Sequence, residues 1–505
     1  MTIRSFELNA IAKCYEDTNN PDADDKPLVY IIILNWNGKG HLKDCLPSVV
    51  KTIYPNFKIV VVDNGSTDGS QKFIKKYFPD VELLENEKNL GFVRGNNVGI
   101  KYAIVQGAEY IALLNNDTEI DKDWLKSLVD CINKDENIAA TTSKMMMYYS
   151  RKVINSAGGG MSLLGYGYDL GLYEIDTGQY DVEKEVFFPC AGAMLFRTSI
   201  IKDVGLMDER YFIYTDDVDW GWRMWIYGYK VKYVPTAIIF HKYGATMGSG
   251  SVKKFYLGER NAMCSMLKNY ELKTLFQLSP LILKHYVFLF GYHCLRLNSE
   301  DKILRAYAIV KGILWNIVNL PRTIKMRLII QKNRKKSDLE ISKYIEQKMF
   351  PPVITPDYNV VDEKYLNKNK LKKYLDLGPK SYQLGYGWYN LETLGDGSSF
   401  RWIKKEAVFF IKKQREKYLE LNIFAPISNI KHNLNVSIKI NKNLIYEFQL
   451  STNEIKKIKV DLNDLKEISF LEVLIHINPT WKPKEIFMNE DSRELGVGVL
   501  NARVS

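Results

Sequence analysis

The sequence predicts an α/β protein: a doubly wound, mostly parallel sheet, followed by a helical segment and a C-terminal all-β sandwich. Apolar, β-branched runs alternate with helical patterns from residue 28 to residue 114, which is typical of right-handed βαβ units. Helical patterns then dominate residues 257–344, and short strand-like runs begin near residue 382. The predicted parts are an N-terminal extension (1–26), an α/β domain (27–265), a basic amphipathic helical segment (266–350), a linker (351–374) and a β-sandwich domain (375–505).

The individual elements follow from local patterns. Leu28–Leu34 is a continuous apolar run, as expected of a strand that is buried on both faces of a parallel sheet. The alternation continues with helix His41–Val50, strand Lys58–Val62, helix Gln71–Tyr77, strand Val81–Leu84, helix Gly95–Val105 and strand Tyr110–Leu114. The predicted C-terminal strands are Val408–Ile411, Leu419–Phe424, Val436–Ile440, Ile445–Leu450, Ile455–Val460 and Phe470–Ile477.

The composition is globular, with a local basic excess. Of the 505 residues, 46% are hydrophobic and 26% are charged, which excludes a disordered or fibrous chain. The net charge is +11, and Tyr270 to Ile345 contains 14 Lys and Arg against 5 Asp and Glu. The remainder of the chain is therefore close to neutral. This distribution argues against a nucleic-acid-binding protein that is basic over its whole length.

Several features predict a cytoplasmic protein. The six cysteines show no paired, metal-like spacing, and four of them lie among apolar residues, as buried free thiols in a reducing compartment do: Cys45, Cys131, Cys190 and Cys264. We see no secretory signal at the N-terminus. No run reaches the ~18 apolar residues that a membrane-spanning helix needs.

Polar residues follow the predicted strands, at the edge where doubly wound sheets bind ligands. Asp63 follows the second strand and can accept hydrogen bonds from a nucleobase or a ribose, although an ordinary βα turn is the alternative. Arg94 lies at the start of the next helix, where backbone N–H groups favour a diphosphate. Asp117 follows the fourth strand and can hold a divalent cation; the alternative is a helix N-cap.

The most informative stretch contains Asp216, Asp217 and Asp219. Three carboxylates within four positions repel one another, so a purely structural role is difficult to motivate. A solvated acidic cap is the alternative, since a helical pattern begins here and helix starts favour negative charge. His241 also follows a strand-like run, which makes it a candidate metal ligand.

Five segments in this order resemble the family 2 glycosyltransferases with the type A nucleotide-sugar-binding fold. The segments are Val61–Asp68, Asn89–Gly99, Leu114–Asp117, Pro189–Met194 and Asp216–Asp219. The stretch from Gly158–Gly160 to Asp181 is most similar to the rhamnosyltransferase-like members. Asp217-x-Asp219-Trp220 followed by His241 is also similar to galactofuranosyltransferases. The resemblance covers roughly residues 27–330 and implies that residues 27–265 form a catalytic domain.

The resemblance implies a role for each matching residue. Asp217 is implied as the general base, and Asp117 with His241 as ligands of Mg²⁺ or Mn²⁺. The donor nucleotide is implied to contact Asn35, Asp63, Arg94, Asn97 and Asn116, and the acceptor side to comprise Gly192, Ala193, Asp216 and Trp220. The family's metal motif is usually Asp-x-Asp, whereas this chain has Asn115-Asn116-Asp117, which removes one carboxylate from the implied site.

The function so implied is that of an inverting glycosyltransferase. It would move a sugar, with rhamnose from dTDP-rhamnose favoured over a UDP-sugar, to a hydroxyl of a lipid-linked or growing cell-surface glycan. The enzyme would lie peripherally on the inner face of the cell membrane. Basic residues of the helical segment would bind an anionic leaflet there, and the alternative is ordinary solvated helix faces that pack on the catalytic domain. The residues are Lys325, Arg327, Lys332, Arg334, Lys335 and Lys336. No nucleic acid is expected as a partner.

Two other classes remain as alternatives. A sugar nucleotidyltransferase would need a glycine-rich, lysine-containing loop after the first strand, and Asn35–Gly40 matches this poorly. A non-catalytic glycan- or membrane-binding protein would leave the acidic cluster unexplained. In the C-terminal module, the aromatic residues could stack on sugar rings or form a core; they are Tyr386, Trp388, Tyr389, Trp402 and Trp481.

Overall fold

The computed structural model describes residues 26–148, 150–174, 176–242, 251–295, 302–347, 371–375, 377, 383–384, 388–394, 397–430, 432–441, 444–465, 470–483 and 493–505. The predicted N-terminal extension, apart from residue 26, and most of the predicted linker lie outside these residues. The chain divides into two compact units. Unit 1 comprises residues 1–148, 154–171 and 178–353, and unit 2 comprises residues 149–153, 172–177 and 354–505.

The strands up to residue 346 are β1 (Val29–Asn35), β2 (Phe57–Asp63), β3 (Glu82–Glu85), β4 (Tyr110–Asn115), β5 (Thr118–Ile120), β6 (Ile138–Met147), β7 (Ser150–Ser156), β8 (Gly159–Ser162), β9 (Gly167–Asp169), β10 (Lys184–Glu185), β11 (Ala193–Arg197), β12 (Lys230–His241) and β13 (Ile345–Glu346). The helices are α1 (Lys39–Val49), α2 (Ser70–Tyr77), α3 (Phe92–Val105), α4 (Trp124–Ile132), α5 (Ile201–Val204), α6 (Asp216–Ile226), α7 (Val252–Asn269), α8 (Leu272–Leu295), α9 (Lys302–Val318), α10 (Leu320–Lys332) and α11 (Asp338–Ile341).

The main sheet of unit 1 is mixed, and its first four strands are parallel. Eight strands run in the order β10-β12-β6-β11-β4-β1-β2-β3, and β5 pairs with β12. Strand β11 is antiparallel to both of its neighbours, whereas β12 is parallel to β6. In the parallel half, Asn35 lies opposite Asp63 and Leu34 lies opposite Asn115. The polar residues that end β1, β2 and β4 therefore meet at one edge of the sheet.

Helices cover both faces of this sheet, because successive side chains of a strand point in opposite directions. Ile31 and Ile33 pack with α1, α2 and α4 in one core, while Tyr30 and Ile32 pack with α3 in the other. Both cores exclude water almost completely. The predicted doubly wound architecture is confirmed.

The cysteines among the described residues are free. Cys45, Cys131 and Cys264 are buried, Cys190 is half-buried and Cys294 is exposed. The predicted burial is therefore confirmed for three of the four thiols named, and Cys190 differs because it lies beside a cavity.

Helices α7 to α10 belong to unit 1. Helix α7 packs against α6, α9 and α10. The guanidinium of Arg327 donates to the carbonyls of Leu267 and Tyr270, and that of Arg334 donates to the carbonyl of Asn269. These two arginines satisfy carbonyl groups at the C-terminus of α7. The predicted lipid-binding role is therefore wrong for these two side chains.

Unit 2 contains two antiparallel sheets. Its elements are β14 (Trp388–Thr393), β15 (Ser399–Ile403), β16 (Glu406–Lys412), β17 (Tyr418–Phe424), α12 (Ile427–Ile430), β18 (Leu434–Ile440), β19 (Leu444–Leu450), β20 (Lys456–Asp461), β21 (Phe470–Asn478) and β22 (Gly498–Val504). The sheet orders are β14-β15-β22-β17-β20 and β16-β21-β18-β19, and the two sheets share one hydrophobic core. The predicted C-terminal β module is confirmed.

The aromatic side chains of unit 2 belong to its core. Trp388, Tyr389, Trp402 and Trp481 are buried, and the indole N–H groups of Trp388 and Trp481 donate to backbone carbonyls. Side chains buried in this way cannot stack on a sugar ring. The glycan-stacking alternative is therefore wrong for these four residues, and Tyr386 lies outside the described residues.

Candidate active site

A cavity of about 1020 Å³ lies at the edge of the main sheet where β1, β2 and β4 end. Doubly wound sheets bind ligands at this edge. Its lining includes residues that follow these strands, the beginning of α6 and the end of β12: Trp36, Asn37, Asn64, Asn115, Asn116, Asp216, Asp217 and His241. Gly192 lines it as well. The structure thus brings together predicted site residues that are up to 125 positions apart in the sequence, from Asn116 to His241.

Asp217 lies in the first turn of α6 and faces the cavity. Its carboxylate accepts hydrogen bonds from the backbone N–H groups of Ala191 (3.3 Å) and Val218 (2.9 Å). Burial outweighs these hydrogen bonds and raises the pKa of Asp217 to about 6. A carboxyl group with this pKa is largely ionised at neutral pH and can accept a proton from a hydroxyl group.

The surroundings of Asp216 favour its uncharged form. It is buried, and burial together with the nearby Asp217 charge raises the pKa of Asp216 well above its usual range. Its Oδ2 atom has no hydrogen-bond partner among the described residues. Two adjacent carboxyl groups whose surroundings shift their pKa values to different extents are typical of acid–base sites.

Asp219 is the centre of a buried ion-pair network. It is fully buried and contacts Lys268 at 2.9 Å and Arg223 at 3.1 Å, while Asn269 donates to it at 2.9 Å. Burial alone would raise the pKa of Asp219, but Lys268 and Arg223 outweigh it and lower the pKa. The inference that a structural role is hard to motivate is therefore wrong for Asp219, since cations from α6 and α7 balance its charge.

The sequence analysis missed Asp169, at the end of β9. This carboxyl group lines the cavity, and burial raises its pKa although Ser156 donates a hydrogen bond to it. Its charge also contributes to the raised pKa of Asp217. The only sequence signal is a carboxylate within the otherwise apolar and aromatic run Tyr166–Leu170.

The segment before α6 has an unfavourable backbone conformation. Phe212, Tyr214 and Thr215 have φ values of 65°, 70° and 63°, a region that costs non-glycine residues about 1–3 kcal/mol each. The Asn261 side-chain amide lies 2.8 Å from the Tyr214 carbonyl and 3.1 Å from the Ile213 carbonyl. Strained residues at cavities are frequently functional, and this segment positions the two acids that follow it.

The Phe212 ring packs directly against Gly91, the residue before α3. A Cβ atom at position 91 would lie 2.5 Å from that ring, and Gly91 has a φ of 85°. Position 91 therefore requires glycine for two reasons. Its φ is positive, and the aromatic ring leaves no room for a Cβ atom.

His241 and Asp117 form a candidate cation site beside the cavity. Oδ1 of Asp117 lies 3.2 Å from Nε2 of His241, and Nδ1 of His241 lies 2.7 Å from Oδ1 of Asn155. Oδ1 of Asn155 accepts from Nδ1, and this second-shell contact fixes the His241 ring with Nε2 towards Asp117, as is typical of a metal-ligating histidine. Burial alone would raise the pKa of Asp117, but His241 and His41 hold it below its usual range.

Asp117 and His241 fit a divalent cation whose remaining coordination positions are filled by a bound ligand and water. No group of three or more His, Cys, Asp or Glu side chains suited to a metal ion occurs among the described residues. Mg²⁺ commonly takes only one or two protein side chains and fills its other positions with phosphate oxygens and water. Asn115, which replaces the usual first aspartate, lies with its amide nitrogen 3.5 Å from Nε2 of His241.

Asn35, Asp63 and Asn116 form one hydrogen-bond network. Asn116 donates to Asn35 at 2.8 Å, and Asn35 donates to Asp63 at 2.9 Å. Asp63 also accepts hydrogen bonds from the Ser66 backbone and the Gln71 side chain. The carboxylate of Asp63 is fully buried and does not line the cavity. Its observed contacts therefore order the loop after β2.

Replacing Gly38 tests this network. A Cβ atom at position 38 would lie 2.2 Å from Nδ2 of Asn116 and 2.5 Å from Oδ1 of Asn35, so Gly38→Ala must displace this pair. We expect nucleotide affinity, measured by calorimetry, to fall at least about tenfold, because a hydrogen bond of this kind contributes ~1 kcal/mol and two are disturbed. Gly40→Ala is the matched control, since a Cβ there meets nothing within 4 Å. Equal nucleotide affinities of the two variants would show that this hydrogen-bond network does not support nucleotide binding.

Besides Asn35, Asp63 and Asp117, four predicted site residues are absent from the cavity lining. Arg94 is exposed and pairs with Glu209 at 3.6 Å. Asn97 is buried and donates to the Met207 carbonyl. Ala193 is buried in β11, and Trp220 is buried with its indole N–H donated to the Gly205 carbonyl. These contacts are structural ones, and the predicted ligand contacts of the four residues stay predictions.

Comparisons with known proteins agree with this fold. Residues 30–205 match the family model described as glycosyl transferase family 2. Poly-beta-1,6-N-acetyl-D-glucosamine synthase of Staphylococcus epidermidis is 25% identical over 225 residues, which cover 44% of this chain and 51% of that protein. The chain thus spans about half the length of this curated relative.

Two solved structures are similar at lower identity. The crystal structure of GalNAc-T7 with UDP, GalNAc and Mn²⁺ aligns with a TM-score of 0.43 and 17% identity, covering 59% of this chain and 58% of that one. Staphylococcus aureus TarS 1–349 aligns with a TM-score of 0.39 and 18% identity, covering 61% of this chain and 88% of that one.

The glycosyl transferase family 2 model matches about a third of the chain, and the matched residues include strands β2 to β11. This chain is similar to that family over residues 30–205.

Proposed function

We propose that the chain transfers a sugar from a nucleoside-diphosphate sugar to a hydroxyl group of a glycan with inversion, and that Asp217 is its general base. The observation that carries this proposal is one cavity lined by both Asp217 and His241, with Asp117 in contact with His241. His241 and Asp117 thus offer a cation site for a diphosphate, and Asp217 in the same cavity offers a carboxylate for the acceptor.

The reaction is a single displacement. The acceptor oxygen attacks the anomeric carbon from the face opposite the diphosphate while Asp217 takes the hydroxyl proton. The bond between the anomeric carbon and the diphosphate oxygen breaks, and the nucleoside diphosphate leaves with the bonding electrons. Backbone N–H groups of Ala191 and Val218 hold the Asp217 carboxylate in position for this proton transfer.

Asp117 and His241 would hold the divalent cation. When bound, a cation here neutralises the negative charge that develops on the leaving diphosphate. Asn155 keeps the His241 ring oriented through Nδ1, and the network of Asn35, Asp63 and Asn116 orders the loop beside it.

Different observations support two different donor sugars. The resemblance of residues 158–181 to rhamnosyltransferase-like proteins supports dTDP-rhamnose. The name of the Staphylococcus relative supports an N-acetylglucosamine donor, which would be a UDP-sugar. The acceptor is proposed to be a lipid-linked or growing cell-surface glycan.

A panel of nucleotide sugars tests the function. We expect one donor to raise the melting temperature in the presence of Mn²⁺, since a ligand that binds only the folded state stabilises it. The same donor with a glycan acceptor should release nucleoside diphosphate. Asp117→Ala should remove the Mn²⁺-dependent part of the shift. Release of inorganic pyrophosphate from a sugar phosphate and a nucleoside triphosphate would instead identify a sugar nucleotidyltransferase.

The pH profile provides a second test. Because only the ionised form of Asp217 accepts a proton and its pKa is raised to about 6, we expect kcat/KM to rise with pH and to reach half its plateau near pH 6. The profile should be measured from pH 5 to pH 8 with the protein shown to be folded throughout. A profile that is flat between pH 5 and pH 7 would exclude Asp217 as the base.

A further inference from the structure

We propose that helices α8, α9 and α10 present a surface that docks into the interface of an anionic lipid bilayer. Among the described residues, 26 large hydrophobic side chains are exposed, and 18 of these lie on these three helices. The most exposed include Phe276, Phe288, Ile303, Val318 and Leu328. Soluble proteins rarely expose a contiguous concentration of this kind without a partner. We call these exposed side chains the α8–α10 surface.

The charges around this surface indicate that its partner is anionic. Residues 272–295 and 302–332 contain no Asp or Glu. Exposed basic side chains are interspersed with the apolar ones: Lys273, Lys284, Lys311, Arg322, Lys325 and Lys332. Helices that combine exposed apolar side chains with Lys and Arg lie in the plane of the membrane interface, where the long basic side chains reach anionic headgroups.

A second copy of the chain fits this surface less well than lipid does. Most homodimers are two-fold symmetric, so the same patch of each copy would face the other. The basic side chains would then approach one another with no acidic side chain of the three helices to balance them. An anionic leaflet supplies that balance along the whole surface.

The helices are suited to lying on a bilayer. No described helix alone has the length and hydropathy needed to cross a membrane. Helices α9 and α10 meet that criterion only as a pair, and a 65° bend separates them. This finding is compatible with segments that follow the interface.

The buried face of α8, opposite its exposed side chains, adjoins the wall of the cavity. The hydroxyl group of Tyr166, a lining residue, donates to Glu259 of α7 at 2.6 Å and lies 2.8 Å from Nε2 of His285 in α8. The Phe255 and His293 rings also contact, with centroids 5.2 Å apart. If the proposed function holds, a bilayer bound here would bring the headgroup of a lipid-linked acceptor towards Asp217.

Vesicle flotation with the full-length chain tests the docking surface. We expect binding to phosphatidylcholine vesicles that contain phosphatidylglycerol, and binding at least tenfold weaker without it. The triple variant Phe276→Gln, Phe288→Gln, Leu328→Gln should bind both kinds of vesicle at least tenfold more weakly, since it removes apolar area from the interface. The double variant Lys284→Gln, Lys325→Gln should bind anionic vesicles about 25-fold more weakly, at roughly fivefold per charge, and should bind neutral vesicles as the parent does.

The matched control is Val105→Gln with Val182→Gln, which removes equally exposed apolar side chains elsewhere on unit 1 and should bind vesicles as the parent does. Circular dichroism verifies that each variant is folded. If the triple variant does not fold, the double variant Lys284→Gln, Lys325→Gln tests the proposal by its weaker binding to anionic vesicles. The proposal is overturned if the parent does not float with anionic vesicles. It is also overturned if light scattering shows a lipid-free dimer that the triple variant abolishes. Neither result would contradict the proposed function. That function is tested separately, by release of nucleoside diphosphate with a soluble acceptor in the absence of lipid.

Discussion

Asp217→Asn is expected to abolish sugar transfer while nucleotide-sugar binding persists. The variant keeps the side-chain volume and one oxygen that can accept from the Ala191 N–H, but it removes the proton acceptor. Loss of a general base costs roughly 10²- to 10⁴-fold in rate. Released nucleoside diphosphate measures turnover, and calorimetry with the donor measures binding. More than about a tenth of the parent activity would show that another group takes the proton.

Asp216→Asn is the control for this experiment. Because burial and the Asp217 charge raise the pKa of Asp216 and so favour its uncharged form, an amide at this position resembles that form in charge and shape. We therefore expect a much smaller loss than for Asp217→Asn, within about tenfold. If the two variants lost activity equally, the different roles inferred for the two carboxyl groups would be wrong.

Asp219→Asn is expected to lower the free energy of unfolding by about 3 kcal/mol, since removing one partner of a buried ion pair leaves the other charges uncompensated. Lys268 and Arg223 would lose their shared carboxylate, although Lys268 would keep its contact with Asp208 at 2.7 Å. Urea denaturation at pH 7 measures the change.

The pH dependence of stability has a defined sign. The pKa of Asp219 is lower in the folded state, so its stabilising contribution is present above an unfolded pKa of ~3.9 and is lost as the pH falls further. Asp130→Asn is the matched control, because its partner Lys126 is exposed and such pairs contribute little. Equal stability of the two variants would contradict the network described for Asp219.

The sequence predicted the parallel half of the main sheet well because periodicity alone determines it. The runs Leu28–Leu34 and Lys58–Val62 became β1 and β2 with shifts of about one residue, as buried strands are almost entirely apolar. In unit 2 the alternating runs were found, but β14, β15 and β22 were not. Strand β15, for example, buries the polar side chain of Arg401, whose guanidinium donates to the carbonyls of Leu377 and Tyr389. A buried charge has no signature in a hydropathy pattern.

Only part of the candidate site could be predicted, because some of its residues depend on partners that are distant in the sequence. Residues that directly follow strands, such as Asn116 and His241, could be placed at the ligand edge from topology. The difference between Asp217 and Asp219 could not, because it depends on Lys268 and Arg223, and Lys268 lies 49 positions along the chain from Asp219. Asp169 was missed since β9 is three residues long and lies outside the regular alternation.

The contact between Gly91 and Phe212 joins two segments that are distant in the chain. A larger residue at position 91 could be accommodated only if the aromatic ring at position 212 moved or became smaller, and that movement would alter the backbone leading into Asp216 and Asp217. The start of α3 and the acid-bearing turn are therefore mechanically coupled. A smaller side chain at position 212 should recover only part of the activity that Gly91→Ala loses, because the φ of 85° at position 91 still disfavours alanine.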